Sequence, residues 1–329
     1  MIRYIIRRLI GVFLIVLLIS AITFGIFFLI PASPATLACG RACTPERIAI
    51  INHKLGLDKP VYEQYGLYLK GIVAGRDYGE GTQINHCPRP CLGFSFKNDQ
   101  PVWFLIKDRF PVTFSIAIGA AVLWLLIGLS VGILSALRKG SIFDRAAMTM
   151  ALAGVSTPVY LTGIVALLIF SAKLQILPYP SYSPFRENPY TWAKQLIMPW
   201  FTLAFLYAAL YARLTRASML ETMGEDYIRT ARAKGLSESR VIGKHGLRAA
   251  LTPIVTIFGL DLGALLGGAI LTESVFGLQG LGKLLILAVG NIDLPIILGV
   301  TLVAAFFIVF ANLVVDVLYA VVDPKVRYS

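Results

Sequence analysis

Long runs of apolar residues, separated by shorter polar stretches, dominate this chain. A helix needs about 20 residues to cross the ~30 Å hydrocarbon core of a bilayer. We predict six spanning helices, at residues 9–30, 111–137, 146–172, 196–212, 253–276 and 296–320. Pro158 and Pro199 each lack a backbone N–H and are expected to kink their helices. The pattern therefore predicts an all-α membrane protein.

Clusters of basic residues predict the orientation of these helices. Basic side chains lie before the first span and after the second: Arg3, Arg7, Arg8, Arg138, Lys139 and Arg145. Cytoplasmic loops carry an excess of such residues, so we expect both termini and the loop at 213–248 to be cytoplasmic. The first apolar run is longer than the ~7–15 residues of a signal-peptide core, which favours a retained helix.

Composition limits the classes of function. Hydrophobic residues make up 57% of the chain and charged residues 15%, and the formal net charge is +12. The cations flank apolar spans and match no nucleic-acid motif, so we expect no nucleic-acid partner. No GxxxxGK[ST] phosphate loop is present, and His53, His86 and His245 lie in separate loops. We therefore predict no catalytic site and no cofactor in this chain.

The basic loop at 213–248 has the pattern of an amphipathic helix, a turn and a second helix. Ile228 stands beside a row of side chains at four-residue steps: Met219, Met223, Tyr227 and Ala231. Gly235 is placed for a left-handed C-cap, and Ser237 with Glu238 for the start of the next helix. A loop that only fixes topology is the alternative interpretation.

The order of residues in this loop adds a family resemblance. The segment DYIRTARAKGL, preceded by YARLTRASMLE, resembles the coupling segment of inner-membrane permeases of ATP-binding-cassette (ABC) importers, in the peptide/nickel branch. Arg229-Thr230-Ala231 stand at the positions of the family's "EAA" region, with Arg229 in place of its acidic residue. Gly235 matches the loop glycine. We call residues 213–248 the coupling loop.

The resemblance implies a type I ABC importer permease fold and a set of site residues. In the family, the helix of this loop inserts into a groove on the cytoplasmic ATPase. It therefore implies an ATPase-coupling role for Tyr227, Ile228, Arg229, Thr230, Ala231 and Gly235. Among these, we expect Tyr227, Ile228 and Ala231 to form the docking face.

The same resemblance implies a permease subunit of a peptide importer in the inner membrane of a prokaryote, and not an enzyme. The implied partners are membrane lipid, a second homologous permease, two ATPase subunits that hold ATP and Mg, and an extracytoplasmic peptide-binding protein. A nickel-complex or oligosaccharide importer is the alternative within the family. A stand-alone secondary transporter is the alternative outside it, although inverted repeats with discontinuous helices are not evident in the sequence.

The polar stretch between the first two spans predicts an extracytoplasmic subdomain. Its segment LGLDKPVYEQYGLYLKGIVAGRDYG resembles the external loop of the first of the two permease subunits in peptide importers. We therefore divide the chain into four parts: a first helix at 1–30, an external subdomain at 31–110, a permease domain at 111–320 and a cytoplasmic tail at 321–329.

Four cysteines fall in this external loop as two Cys-x-x-x-Cys pairs: Cys39, Cys43, Cys87 and Cys91. An even number in an oxidising compartment favours two disulfides. The sequence does not choose among the three possible connectivities. A zinc site with four thiolates, or with His86 as a substitute ligand, is the alternative.

Two acids stand out within the apolar spans. Asp261 lies near the middle of the fifth span, where its charge costs about 2.5–3.5 kcal/mol on insertion scales. It should face water, a partner or the translocation path, or be a neutralised packing residue. Glu273 lies near the predicted outer end of the same span, before GLQGLGKLL, which resembles an external re-entrant segment. We expect both acids to line the path or its gate.

Overall fold

The computed structural model describes residues 2–29, 44–46, 49, 52, 58–78 and 84–322. The chain divides into two units, each built from several stretches of sequence. Unit 1 comprises Met1–Thr113, Leu266–Ile270 and Gln279–Phe310. Unit 2 comprises Phe114–Leu265, Leu271–Leu278 and Ala311–Ser329. The four-part division expected from the sequence stays a prediction.

Helices dominate the described residues. In chain order they are α1 Ile2–Leu29, α2 Val61–Ala74, α3 Val102–Leu137, α4 Ile142–Ser156, α5 Val159–Ala166, α6 Pro189–Met223, α7 Asp226–Ala233, α8 Glu238–Arg240, α9 Leu247–Leu266, α10 Ile270–Val275, α11 Leu281–Asn291 and α12 Leu294–Val322. Helix α5 continues as a π-helical turn over Leu167–Lys173, and a second π-helical turn over Val241–Gly246 joins α8 to α9.

Five described helices are long and apolar enough to cross a membrane, and a sixth span is a bent pair. The five are Ile6–Ile26, Val102–Leu137, Pro189–Met223, Glu238–Leu266 and Leu294–Val315. The bent pair, Ile142–Ser156 with Val159–Lys173, turns by 99°. Pro158 lies at this bend, as predicted, whereas α6 continues through Pro199.

One predicted span is wrong in its C-terminal half. The helix expected over 253–276 ends at Leu266, and α10 begins only at Ile270. Gly268 adopts φ +137°, and a Cβ there would lie 2.7 Å from the backbone of Gly282 in α11. The apolar run continues through this point, but the backbone turns at a glycine that also permits a close crossing.

Unit 1 contains α1, α2, two short antiparallel hairpins and the segment around α11. Its hairpins pair β1 Arg76–Tyr78 with β2 Asn85–Cys87, and β3 Phe94–Ser95 with β4 Gln100–Pro101. An apolar core lies between the start of α3, α11 and α12, and it includes Leu92, Val102, Ile106, Leu281, Ile296 and Val300. The segment between α1 and α3 therefore packs on helices distant from it in sequence.

Unit 2 packs α3 and α4 against α6 at small residues. A Cβ on Gly128 would lie 2.8 Å from Cβ of Tyr211, and one on Gly119 would overlap the ring of Trp200. Small residues at helix contacts let backbones approach closely in membranes. Trp124, between these glycines, is fully buried against α6. This packing holds the part of α6 that leads into the coupling loop.

Candidate functional site

The coupling loop begins within α6 and then changes direction. The sequence predicted one helical face from Met219 to Ala231, but α6 ends at Met223 and α7 begins at Asp226. The prediction of a continuous helix is therefore wrong. Gly224 supplies the break, with its N–H donating to carbonyl oxygens of the last turn of α6. Glycine has low helix propensity, which makes it a common place for such an end.

Gly235 ends α7 in the conformation that the sequence predicted. Its φ is +75°, in the left-handed region that glycine enters without steric cost. The N–H of Gly235 donates to the carbonyl of Arg232 at 2.9 Å, and that of Leu236 to Ala231 at 3.3 Å. These two bonds form a Schellman motif. Ser237 occupies the N-cap position of α8, but its side chain makes no capping bond.

Two of the three residues expected on the docking face lie inside the loop. Ile228 is fully buried and Ala231 is 7% exposed, and both pack against Val241 of the following π-helical turn. Met223 and Leu236 complete this cluster. These two side chains are therefore not exposed in this chain, and their ATPase-coupling role stays a prediction. Periodicity identified the apolar side of α7, but that side packs on the chain's own next helix.

The outward side of α7 is polar and basic. Tyr227 is 45% exposed, and Arg229 and Thr230 are also exposed. Partial burial, and then the charge of Glu225, raise the pKa of the Tyr227 hydroxyl, which stays protonated at neutral pH. Arg229 pairs with Asp226 at 3.4 Å. The loop thus offers a partner a tyrosine and cationic side chains on a short, capped helix.

A buried ion pair next to this loop was missed by the sequence reasoning. Arg216 of α6 donates two hydrogen bonds to Asp144 of α4, at 2.6 and 2.8 Å, and Asp144 is only 3% exposed. The Asp144 carboxylate also accepts from the N–H of Gly140, and its own N–H donates to Ser141. The Ser-x-x-Asp spacing resembles a capping box and could have marked the start of α4, but it does not indicate Arg216 as the partner.

Asp261 lies in α9 beside a cluster of aromatic rings. Its Oδ2 accepts a hydrogen bond of 2.8 Å from the hydroxyl of Tyr211, and its side chain is partly exposed. The ring of Trp124 contacts Tyr207 and Tyr211, with centroids 4.6 and 6.0 Å away. The carboxylate is therefore held in position by α6 while part of it stays accessible.

Glu273 is placed differently, because its side chain is fully buried in α10. Its backbone carbonyl accepts from Leu278 at 2.9 Å, which closes the turn at Gly277. Gly163 of α5 approaches the residues that follow, since a Cβ there would lie 2.9 Å from Val275. Glu273 is thus fully buried beside a turn, whereas Asp261 is partly exposed within α9.

Cys87 and Cys91 form a disulfide within the segment between α1 and α3. The connectivity is local, so neither cysteine is available as a thiolate ligand for zinc or for a bond to the first pair. Cys39 and Cys43 lie outside the described residues. Around the disulfide, Tyr78, Phe94 and Phe96 form a small apolar cluster.

The same loop contacts the turn between α11 and α12, which we call the Asp293 corner. Asp293 is 4% exposed, and its Oδ2 accepts from Ser95 Oγ at 2.5 Å and from Asn98 Nδ2 at 3.3 Å. Lys97 donates to the backbone carbonyl of Asn291. Ile292, which lies between Asn291 and Asp293, adopts φ +53° at the end of α11. Side chains of the segment between α1 and α3 therefore fix this corner.

These features define a multi-pass membrane component with a structured cytoplasmic-type loop, and comparisons with known proteins identify its family. Residues 128–328 match the family "Binding-protein-dependent transport system inner membrane component", and residues 1–117 match its N-terminal model. The chain belongs to this family. It is a permease subunit of the ABC importer class, not an enzyme, and its place is the inner membrane.

Individual relatives match this chain over all or nearly all of their length. The chain is 38% identical to the dipeptide transport system permease protein DppB of Escherichia coli strain K12, over 100% of both chains. It is 38% identical to a putative peptide transport permease of Brucella abortus strain 2308, over 96% of each. It is 37% identical to the glutathione permease GsiC of E. coli O6:H1, over 100% of both.

A solved structure supports the fold. The inward-facing MetNI methionine ABC transporter matches with a TM-score of 0.51 at 18% identity, over 67% of this chain and 97% of that chain. The fold is therefore that of a type I importer permease.

Proposed function

We propose that this chain is the first permease subunit of an ATP-driven importer of peptides. The observation that carries the proposal is the 38% identity to a dipeptide permease over the full length of both chains. The relative named for glutathione, itself a small peptide, supports the same substrate class. Both termini and the coupling loop face the cytoplasm in this proposal.

The working assembly contains a second homologous permease, two ATPases that bind ATP and Mg, and an external peptide-binding protein. The family description, which names dependence on a binding protein, supports the last of these. The external protein delivers peptide to a cavity between the permeases. Closure of the ATPases on ATP then shifts the permeases between two states, as in other coupled transitions.

In this assembly the coupling loop transmits the movement of the ATPase through its outward face. Tyr227, Arg229 and Thr230 contact the ATPase, whereas Ile228 and Ala231 hold α7 against the helix behind it. Gly235 fixes the angle between α7 and the helix that follows it. The Arg216–Asp144 pair ties the end of α6 to α4, so a push on the loop reaches two helices together.

Asp261 and Glu273 take different parts in translocation. Asp261 is partly exposed within a span, so we place it on the path. Glu273 is fully buried near the turn after α10, so we assign it to the packing that holds a gate.

Reconstituted transport tests this function. The chain, its second permease, ATPases and binding protein are placed in liposomes, and uptake of a radiolabelled dipeptide is followed with ATP inside. We expect uptake that requires ATP and every subunit. Stronger competition by a nickel complex or an oligosaccharide than by unlabelled peptide would show that the preferred substrate belongs to that class and is not a peptide. Uptake by this chain alone would identify a secondary transporter and overturn the proposal.

A further inference from the structure

We infer that Asp261, with the aromatic side chains beside it, forms a binding subsite for the α-ammonium group of the transported peptide. The inference rests on the proposed peptide import and names the chemical group that this part of the path recognises. It is carried by the geometry of one carboxylate and four rings in unit 2, on α3, α6 and α9.

The carboxylate is oriented by a single neighbour. Tyr211 donates to Oδ2 of Asp261 at 2.8 Å, and the Tyr211 side chain is fully buried. Gly128 allows α3 to approach Tyr211 closely, which fixes the phenol. Within the described chain, Oδ1 of Asp261 has no hydrogen-bond partner, and no lysine or arginine lies within ion-pair distance of the carboxylate. One oxygen is thus held while the other can accept from a ligand.

Aromatic rings stand next to this acid. Trp124 stacks on Tyr207 at an interplanar angle of 28°, and its ring centroid lies 6.1 Å from that of Phe258. Tyr207 and Phe258 are partly exposed, whereas Trp124 and Tyr211 are fully buried and support them from behind. Ring faces attract cations, most strongly where water is excluded. A carboxylate beside aromatic rings therefore suits an ammonium group and disfavours a carboxylate.

The position of Asp261 within a span disfavours a lipid-facing role. A charged acid exposed to hydrocarbon in mid-span is costly, so such residues face a water-filled path or a partner. Among transported groups, the α-ammonium is common to peptides of every sequence. A subsite for this group lets one permease hold peptides that differ in their side chains.

Photo-crosslinking with matched peptides tests the subsite. The assembled complex in nanodiscs, without the external binding protein, is labelled by a tripeptide with a diazirine side chain, in free-amine and N-acetylated forms. We expect the free-amine probe to label this chain about tenfold more strongly, and Asp261→Asn to abolish the difference. Asparagine keeps an acceptor for Tyr211 but removes the charge. Glu187→Gln, an exposed acid outside the spans, should leave the preference unchanged.

Each outcome decides between explanations. Equal labelling by the two probes in the wild-type complex, or no labelling by the free-amine probe, overturns the inference. So does an Asp261→Asn variant that retains the preference. A variant that no longer co-purifies with the second permease shows instead that Asp261 is needed for assembly, and overturns it too. Failure of the proposed function is separate, since it appears as absent ATP-driven uptake of any peptide by the wild-type complex.

Discussion

The Asp293 corner and the coupling loop both contain a short turn between helices, but different kinds of contact hold the two turns in place. At the corner, a buried carboxylate is bound by Ser95 and Asn98, which lie nearly two hundred residues away in sequence, and a disulfide closes the chain nearby. In the coupling loop, an apolar cluster around Ile228 and a glycine cap hold α7, and the charged groups stay exposed.

These two kinds of contact determine where each turn can deform. The corner depends on polar contacts from residues distant in sequence, so it is fixed from outside the helices that it joins. The coupling loop depends on its own sequence and leaves its polar face for a partner. We therefore expect changes in the loop to affect the ATPase contact, and changes at the corner to affect local stability in unit 1.

The largest expected effect is that of Ala231→Glu. The substitution places a carboxylate in the cluster with Ile228 and Val241, where an unpaired charge costs more than about 4 kcal/mol. We expect α7 to detach, with loss of ATPase co-purification and of uptake. Hydrogen exchange of the 226–246 segment in the purified complex measures the detachment.

The matched control is Ala233→Glu, which makes the same change on the exposed side of the same helix. It should leave exchange in α7 as in the wild type. Full protection of α7 in the Ala231→Glu variant would show that the apolar cluster does not hold the loop. The loop would then not differ from the Asp293 corner in being held by apolar contacts.

The second prediction concerns Asp293→Ala. The change leaves the hydroxyl of the fully buried Ser95 without its acceptor, at a cost of about 1–3 kcal/mol. We expect faster hydrogen exchange in α11 and in the 94–101 hairpin, with ATPase binding retained. Asp99→Asn is the control, because that residue is exposed and asparagine tolerates its φ of +51°. Unchanged exchange in α11 would show that the corner is held by its backbone alone.

The lengths of the apolar runs predicted most of the fold, and the exceptions have physical causes. Each predicted span overlaps a helix or the bent pair, and Pro158 lies at the bend. The break after Leu266 was missed because hydropathy does not change there. What changes is the backbone of Gly268, whose close approach to Gly282 depends on a distant helix.

In the candidate site, features that depend on neighbouring residues could be predicted, but contacts between residues distant in sequence could not. Gly235 could be placed because only its own helix end is involved. Periodicity identified Ile228 and Ala231 as apolar, but it does not say whether an apolar face packs on the same chain or on a partner. The Arg216–Asp144 pair joins residues 72 positions apart, and no pattern within either segment relates them.

The third prediction tests the covalent part of the contrast. The bond joins cysteines four positions apart, so it closes a short loop and contributes about 2 kcal/mol through the unfolded chain. The double variant Cys87→Ala, Cys91→Ala should increase exchange around Tyr78 and Phe94 but less at Asp293. A larger effect at the corner than that of Asp293→Ala would show that the disulfide, not the carboxylate, holds it.

The fourth prediction separates backbone strain from crowding in the coupling loop. Alanine at Gly235 meets no atom within 4 Å but must adopt φ +75°, which costs about 1 kcal/mol. Gly243→Ala is the control, since its Cβ also has open space and its φ is not in the left-handed region. We expect a modest loss of coupled ATPase activity in the first variant only, and a larger loss for Gly235→Val. Equal activity in the two alanine variants would show that the left-handed cap at Gly235 does not contribute to coupling.

The smallest expected effect is that of Glu238→Gln. Arg232 and Glu238 pair at 2.7 Å across the Gly235 turn, but their side chains are 42% and 60% exposed. Exposed pairs contribute about 0.2–1 kcal/mol and are screened by salt. We expect a change in α7 exchange near the lower end of that range, visible at low salt and absent at high salt, with normal uptake. A salt-independent loss comparable to that of Ala231→Glu would mean that the loop, like the Asp293 corner, is held by its polar contacts.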